Sequence, residues 1–315
     1  MRVQDTSRLE DMVQRLTAQQ RQELRRLLDT PSALMQVEQI VESRLDAKPT
    51  CPHCKGSRVV RNGHADGLQR YKCRSCNKTF NALSGTPLAR LRQRAKWLDH
   101  AEALREGLVI RQVAERLDVA PSTAFRWRHR FLLVPQELKA RLLKGIVEVD
   151  ETYQLHSFKG QSVIGRRSRR RGGKASTRGM SREHVPVLVA RDRAGATTDF
   201  VLEVANIDQV SAALSPVLAL DCVVCTDGSP MMASVLRLLD VEHHALNLNR
   251  GERVRGPWHI QNVNAYHSRF KAWLRRFHGV ASSHLCSYLG WFRALERLKG
   301  APATPAAILA QALGV

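Results

Sequence analysis

The chain has 315 residues, enough for two or three domains of ordinary size. It carries 50 Lys and Arg residues against 29 Asp and Glu, a net charge of +21, and 43% of its residues are hydrophobic. This composition excludes wholesale disorder, and the charge favours a polyanionic partner such as nucleic acid. No apolar run reaches the roughly 18 residues of a membrane span, and the first residues resemble no secretory signal. We therefore expect no membrane partner and a reducing, cytoplasmic location.

Residues 1–46 are predicted to form two or three helices. Apolar residues recur there at helical spacing, and Thr17 with Gln20 is typical of a capping box at the start of a helix. A helical hairpin that packs on another part of the protein is favoured over a direct DNA contact. At the other end, residues 299–315 form an Ala-rich C-terminal tail.

Residues 47–86 are punctuated by Gly and Pro, which predicts a short β-rich segment. The segment contains two CxxC pairs with 18 residues between them: Cys51, Cys54, Cys73 and Cys76. Two such pairs supply the four thiolates of a tetrahedral zinc site, so we predict a zinc ribbon with one structural Zn²⁺. The alternative, two redox pairs, lacks the βαβ setting of a thioredoxin-like motif. Cys222 and Cys225 share the spacing but lie in a predicted buried strand, where they are expected to act as small hydrophobes.

Residues 87–140 are predicted to form a helix-turn-helix DNA-binding domain. Two helices flank a turn at residues 118–120, and Pro121 suits the first position of the second helix. If Phe125 packs inward, four residues face a DNA major groove: Ser122, Thr123, Arg126 and Arg130. The alternative to a DNA-binding helix-turn-helix is a helical hairpin that makes no DNA contact.

Residues 145–298 alternate strand-like and helix-like segments. The expected strands are GIVEVDETY, HVPVLVARD, TDFVLEVA, CVVCTDG and EHHALNL. Helices are expected at residues 208–219, 230–240 and 258–278. This order predicts a mixed five-stranded sheet flanked by helices.

Two aspartates of this sheet are candidate metal ligands, Asp150 within the first strand and Asp227 at the end of the fourth. On adjacent strands, such a pair can hold two Mg²⁺ ions for a phosphodiester displacement, although a strand-end Asp is more often a turn or cap residue. In the helix at 258–278, Asn264, His267, Ser268, Lys271 and Arg275 share one face. Asn264 offers a neutral oxygen to a metal and Lys271 a cation to a phosphate, whereas a solvated face is the plainer interpretation.

The order of these parts resembles bacterial insertion-sequence transposases. The segments CPHC, RYKCRSCNKTFNALSGTPLARLR, VEVDETY, CTDG and NVNAYHSRFKAWLRRFHGVASSHLCSYLGWFR carry the resemblance to the zinc-ribbon group with an ISXO-like DDE domain, over roughly residues 48–298. It implies a ribonuclease H-like fold and two-metal DNA strand transfer with Mg²⁺ or Mn²⁺. It further implies that Asp150, Asp227 and Asn264 are the three catalytic positions, since a subgroup has Asn at the third, with Lys271 as the following Lys.

Three further predictions concern acidic and basic residues around the expected site. Glu242 and Glu252 lie outside the helix and are possible substitutes for a third carboxylate. Glu151 is expected on the opposite face of its strand from Asp150 and is left out of the site. The basic run at residues 166–178, which includes Arg169, Arg170 and Arg171, is interpreted as a mobile DNA-contacting loop, with a solvated loop as the alternative.

The sequence therefore predicts a multidomain α+β and α/β protein that binds the terminal inverted repeats of an insertion sequence and catalyses DNA cleavage and strand transfer. The expected partners are the element ends, target DNA and further copies of the chain in a homo-oligomer, and the expected location is the bacterial cytoplasm at the nucleoid. The first alternative is a catalytically inactive, transposase-derived DNA-binding regulator. The second is a structure-selective nuclease that gives no strand-transfer product.

Overall fold

The computed structural model describes residues 12–29, 31–45, 49–162, 165, 167, 169, 173–177, 181–246, 251–300 and 304–315. The chain divides into two compact units, Met1–Glu106 with Thr304–Val315, and Gly107–Ala303. This division falls inside residues 87–140 and brings residues 304–315 into the first unit. The finer domain boundaries at residues 46, 86, 140 and 298 stay a prediction.

The first unit combines short helices with a small antiparallel sheet. Its helices are α1 (Ala18–Asp29), α2 (Ala33–Glu42), α3 (Trp97–Glu106) and, from the C-terminal segment, α10 (Pro305–Leu313), with 3-10 turns at Ser43–Leu45 and Arg94–Lys96. The capping box before α1 is confirmed: the Thr17 N–H donates to Gln20 Oε1 at 2.9 Å, and the Gln20 N–H donates to Thr17 Oγ1 at 3.2 Å. Helix α10 contacts α2 and α3, so the Ala-rich segment is structured.

The small sheet follows α2 and has the order β1-β2-β3, with β1 at Val59–Ala65, β2 at Leu68–Cys73 and β3 at Thr79–Phe80. Its hydrophobic core consists of Cys51, Tyr71, Cys73 and Phe80. Tyr71 and Phe80 stack with their ring centroids 5.6 Å apart. So small a core needs help from a metal or from neighbouring elements to stay folded.

The second unit contains a pair of helices, a five-stranded sheet and the helices that cover it. The helix pair is α4 (Ile110–Arg116) and α5 (Pro121–Glu137). The main strands are β4 (Ile146–Leu155), β5 (His184–Asp192), β6 (Thr197–Val201), β7 (Val223–Thr226) and β8 (Glu242–Ala245). The covering helices are α6 (Ile207–Leu214), α7 (Pro230–Leu238), α8 (Gln261–Arg275) and α9 (Leu285–Arg297), with 3-10 turns at Ser282–His284 and Leu298–Gly300.

All five expected strands are confirmed, in the order β6-β5-β4-β7-β8. Strands β4, β5 and β6 pair antiparallel, whereas β4, β7 and β8 pair parallel. A mixed sheet of this topology, flanked by helices, is the arrangement expected of a ribonuclease H-like domain. The sheet thereby places β4, which carries Asp150, at its centre next to β7.

The two faces of β4 have different partners because side chains alternate along a strand. Val147 and Val149 are fully buried in the core cluster that includes residues of α6 and α7. Glu148 and Asp150 point to the other face, where they contact α8. The candidate site therefore lies between the central strand and α8.

The segment at residues 258–278 is shorter as a helix than expected. Trp258–His259 forms a strand, β10, that pairs antiparallel with β9 at Val254–Arg255, and α8 begins only at Gln261. The hairpin is short and its residues do not alternate between polar and apolar. The helical spacing of the residues that follow therefore led to the prediction of a helix from residue 258. Across the described ranges, no helix combines the length and the apolar character that a membrane crossing requires.

Candidate functional site

Asp150 and Asp227 lie at the same level of adjacent parallel strands. The register pairs Ile146 with Val223 and Glu148 with Cys225. Two further residues along each strand bring Asp150 level with Asp227, which directly follows the last residue of β7. Neighbouring strands lie about 4.8 Å apart, so residues 150 and 227 are neighbours beside the space at the end of the parallel pair.

Helix α8 contributes a histidine to this space. Nδ1 of His267 lies 3.4 Å from Oδ2 of Asp150, and the His267 side chain is buried, with only 5% exposure. Sequence spacing placed His267 on the face of Asn264 and Lys271 but assigned it no role. The structure instead turns His267 inward against the first carboxylate, while Asn264 stays exposed.

Glu151 is a second group that the sequence left out of the site. Burial, followed by the charges of Asp150 and Asp227, raises the pKa of the Glu151 carboxyl to about 7. Its Oε1 atom is buried and accepts no hydrogen bond from the described part of the chain. Glu151 is thus close enough to respond to both carboxylates, although it alternates to the other side of β4 from Asp150.

Asn264 and Lys271 share the exposed side of α8, two helical turns apart. The Asn264 backbone N–H donates to the Ile260 carbonyl at 3.1 Å, which leaves its side chain as the group presented outward. Lys271 lines a groove of about 950 Å³ between the end of β4 and the C-terminal half of α8.

This groove is basic. Four cationic side chains line it: Lys159, Arg169, Lys271 and Arg275. No carboxylate is found among the lining residues that the structure describes. Arg169 donates to Glu183 at 2.8 Å and, with the Ser176 backbone N–H, lowers the pKa of the Glu183 carboxyl to about 2. Arg170 and Arg171, expected to contact DNA, lie outside the described residues.

The two glutamates considered as substitutes for a third carboxylate are engaged elsewhere. Glu242 Oε1 lies 2.8 Å from Nε2 of His244, and Glu252 pairs with Arg255 at 3.6 Å.

The four cysteines of the ribbon form one cluster. Their Sγ atoms all lie within 4.8 Å of one another, and the pairs Cys51–Cys76 and Cys54–Cys73 are each 3.6 Å apart. Four sulfurs bound tetrahedrally at about 2.3 Å from zinc lie about 3.8 Å from each other. Thiolates at this spacing are the soft ligands that zinc prefers in structural sites. Geometry and donor chemistry both fit a metal ion.

Comparisons with known proteins agree with this arrangement. The ISXO2-like transposase domain family matches residues 142–293, and the homeodomain-like domain family matches residues 88–133. The chain therefore carries an insertion-sequence transposase domain. It is 29% identical over 253 residues, 77% of its length, to an uncharacterized protein in transposable element ISH50 of Halobacterium salinarum, of which the match covers 83%.

Solved structures offer weaker similarity. The pre-cleavage Mos1 transpososome aligns with a TM-score of 0.23 at 15% identity, covering 67% of the transposase and 79% of that chain. The Mos1 strand transfer complex aligns with the same TM-score and identity, over 66% and 77%. These alignments are too distant to guide the reading of individual residues in this transposase.

The helix-turn-helix of the transposase places its expected DNA-contacting residues unequally. Ser122 and Arg126 are exposed near the start of α5, whereas Thr123 and Arg130 are half-buried. The expectation that Phe125 packs inward is wrong, because its side chain is 42% exposed. The inward positions are instead Ala124, Trp127, Arg128 and Phe131, at helical spacing.

Phe125 contacts a pair of histidines in the same unit of the transposase. Its ring lies 4.4 Å from His129 and 5.4 Å from His284 of the turn before α9, and the two histidine rings stack at 4.0 Å.

Cys222 and Cys225 are buried as expected of small hydrophobes, with 2% and 0% exposure.

Proposed function

We propose that this transposase cuts DNA at the ends of its insertion sequence and joins them to target DNA, with Asp150, Asp227 and Asn264 as ligands of two Mg²⁺ or Mn²⁺ ions. The register that brings the two aspartates level on adjacent strands carries this proposal. Carboxylate and amide oxygens are the donors that these hard cations prefer. When bound, two such ions would activate the attacking water or 3′-hydroxyl and stabilise the leaving oxygen.

The protein's own contribution is to hold donors and DNA in place. His267, 3.4 Å from Asp150, would fix the orientation of the first carboxylate. Asn264 lies on the exposed side of α8, where a phosphodiester can approach. Its amide oxygen would complete the donor set at lower charge than a carboxylate.

The basic groove supports a path for the DNA strand beside the site. Lys271 lies seven residues after Asn264, about 10 Å along the helix, and Arg275 follows one turn later. Their charges would bind the backbone phosphates next to the one that reacts. Because such contacts are to phosphates, they would position the strand without reading its sequence.

Recognition of the terminal inverted repeats is assigned to the N-terminal parts. The four clustered cysteines would hold one structural Zn²⁺. Ser122, Thr123, Arg126 and Arg130 are proposed to face DNA from the first half of α5. Two element ends have to be joined to one target, so the active species is proposed to be a homo-oligomer on DNA.

A cleavage and strand-transfer assay tests the proposal. Purified transposase, labelled DNA carrying the element's own end, Mg²⁺ and a target plasmid should give joined products. Asp150→Ala should abolish both cleavage and joining while end binding persists. Sequence-specific binding without cleavage in Mg²⁺ or Mn²⁺ would indicate a DNA-binding regulator, and cleavage of unrelated DNA without joining would indicate a nuclease.

A further inference from the structure

A fully buried carboxylate, Glu148, lies against the first turn of α8. Its Oε2 accepts the backbone N–H of Val263 at 2.9 Å, and its Oε1 accepts the side-chain N–H of Asn262 at 2.8 Å. Glu148 has 0% exposure. A side chain of β4 thus supplies two hydrogen-bond acceptors to the start of a helix that follows more than a hundred residues later.

A cation balances the charge of Glu148, and an imidazole lies beside it. Arg193, which follows β5, donates to Glu148 Oε1 and also to the Pro257 carbonyl at 2.9 Å. Nδ1 of His259 lies 3.4 Å from the same Glu148 oxygen. The carboxylate is therefore both paired and hydrogen-bonded, which is the condition under which a buried charge is tolerated.

The first turn of α8 uses acceptors from other residues, Glu148 and His259 Nδ1, because its N-cap side chain supplies none. The residue before the helix is Ile260, whose apolar side chain makes no capping hydrogen bond. The first N–H groups of a helix lack partners within it and carry partial positive charge. Glu148 satisfies one of these groups at Val263 and complements the helix dipole with its negative charge.

The contacts of Glu148 connect the two elements that carry the proposed metal ligands. Glu148 lies two residues before Asp150 on the same face of β4, and Val263 directly precedes Asn264. We propose that Glu148 is a positioning residue that fixes Asn264 relative to Asp150 and thereby sets the affinity of the catalytic site for Mg²⁺ or Mn²⁺. This inference rests on the function proposed above.

Replacement by glutamine is the sharpest perturbation. A Gln side chain has one acceptor oxygen, so Glu148→Gln leaves either the Val263 N–H or the Arg193 and Asn262 donors without an acceptor. The matched control is Asp199→Asn. Asp199 is also buried, at 2% exposure, and pairs with Arg293 and with Lys139, but it lies on β6.

The direct readout is Mn²⁺ binding to the zinc-loaded transposase, measured by the electron paramagnetic resonance signal of free Mn²⁺ with and without element-end DNA. Glu148→Gln should weaken Mn²⁺ binding about tenfold, the usual effect of removing a residue that orients a metal ligand. Asp199→Asn should lower the melting temperature with Mn²⁺ binding unchanged. Asn262→Ala, which removes one exposed donor and leaves no buried charge unpaired, should weaken binding in the same direction by a smaller factor.

An Asn264→Ala background separates positioning from general stability. There, Glu148→Gln should cause no further loss of Mn²⁺ affinity, because the residue through which it acts is gone. An equal loss in both backgrounds, or unchanged binding in Glu148→Gln and Asn262→Ala alike, overturns the inference while the proposed function stands. No Mn²⁺ binding by the unaltered transposase overturns the proposed metal site and this inference together.

Discussion

His267 and Asp150 face each other between α8 and β4, with 3.4 Å between the imidazole Nδ1 and the carboxylate Oδ2. This relationship predicts that His267 orients the first carboxylate. His267→Leu should lower the initial rate of end cleavage by about 10- to 100-fold. His278→Ala, an exposed histidine just after the same helix, is the control and should keep the full rate. Equal rates for the two variants would remove His267 from the site.

The basic groove should contribute to DNA affinity through charge. Lys271→Ala should weaken binding of any DNA and reduce the slope of log affinity against log salt by about one unit, because one phosphate contact is lost. Arg237→Ala at the end of α7 removes an equal charge elsewhere in the unit and should leave the slope unchanged. Fluorescence anisotropy titrations from 50 to 200 mM salt measure both. An equal change of the slope in the two variants would show that DNA affinity depends on net charge and not on the position of Lys271.

The ribbon should depend on its metal. Cys73→Ser should lower the zinc content of the purified protein and unfold residues 49–86, because Cys73 is both a zinc ligand and a member of the small core cluster of this segment. Metal analysis together with amide hydrogen exchange over this segment gives the answer. Cys286→Ala, outside the cluster, should retain zinc and protection. Full protection in a zinc-free Cys73→Ser protein would mean that the ribbon folds without metal.

Much of the catalytic unit could be predicted from the sequence because its signals are local. Alternating strand-like and helix-like segments predicted its five strands, and in the first unit the two CxxC pairs predicted the cysteine cluster. The inward turn of His267 could not be predicted, because it depends on how α8 is rotated against β4. Glu148 was missed for the same reason: a charged residue in an apolar strand has no visible partner until the start of α8 is placed beside it.

Phe125 shows a different limit of the sequence. Helix α5 has apolar residues at positions 124, 125, 127 and 131. Their spacing alone does not decide which of them face the interior. Trp127 and Phe131 are buried instead. Phe125 stays at the surface, where His129 and His284 provide ring contacts that no local pattern in the sequence indicates.

The same histidine pair predicts a pH dependence of stability. Burial, with the charges of His284 and Arg128, lowers the pKa of His129 to about 4, against about 6.5 in an unfolded chain. Below pH 6.5 the unfolded state takes up a proton that the folded state resists, so stability falls as the pH drops towards 4. Between pH 7 and 5 this group should remove about 1–2 kcal/mol from the free energy of unfolding.

Urea unfolding of the protein and of His129→Phe at both pH values isolates this contribution. The Phe variant keeps an aromatic ring in the stack but cannot be protonated, so its stability should fall less between pH 7 and 5. An identical fall in both proteins would show that His129 is not the group responsible.

Replacing the carboxylate of Asp227 by a thiolate tests directly whether the two aspartates are metal ligands. A thiolate is a poor ligand for Mg²⁺ but a better one for the softer Mn²⁺. We would measure end cleavage by Asp227→Cys in each metal, with Asp227→Ala beside it. Neither variant should cleave in Mg²⁺, and cleavage should recover in part in Mn²⁺ for Asp227→Cys alone. Cleavage by Asp227→Ala in Mg²⁺ at the rate of the unaltered protein would contradict it.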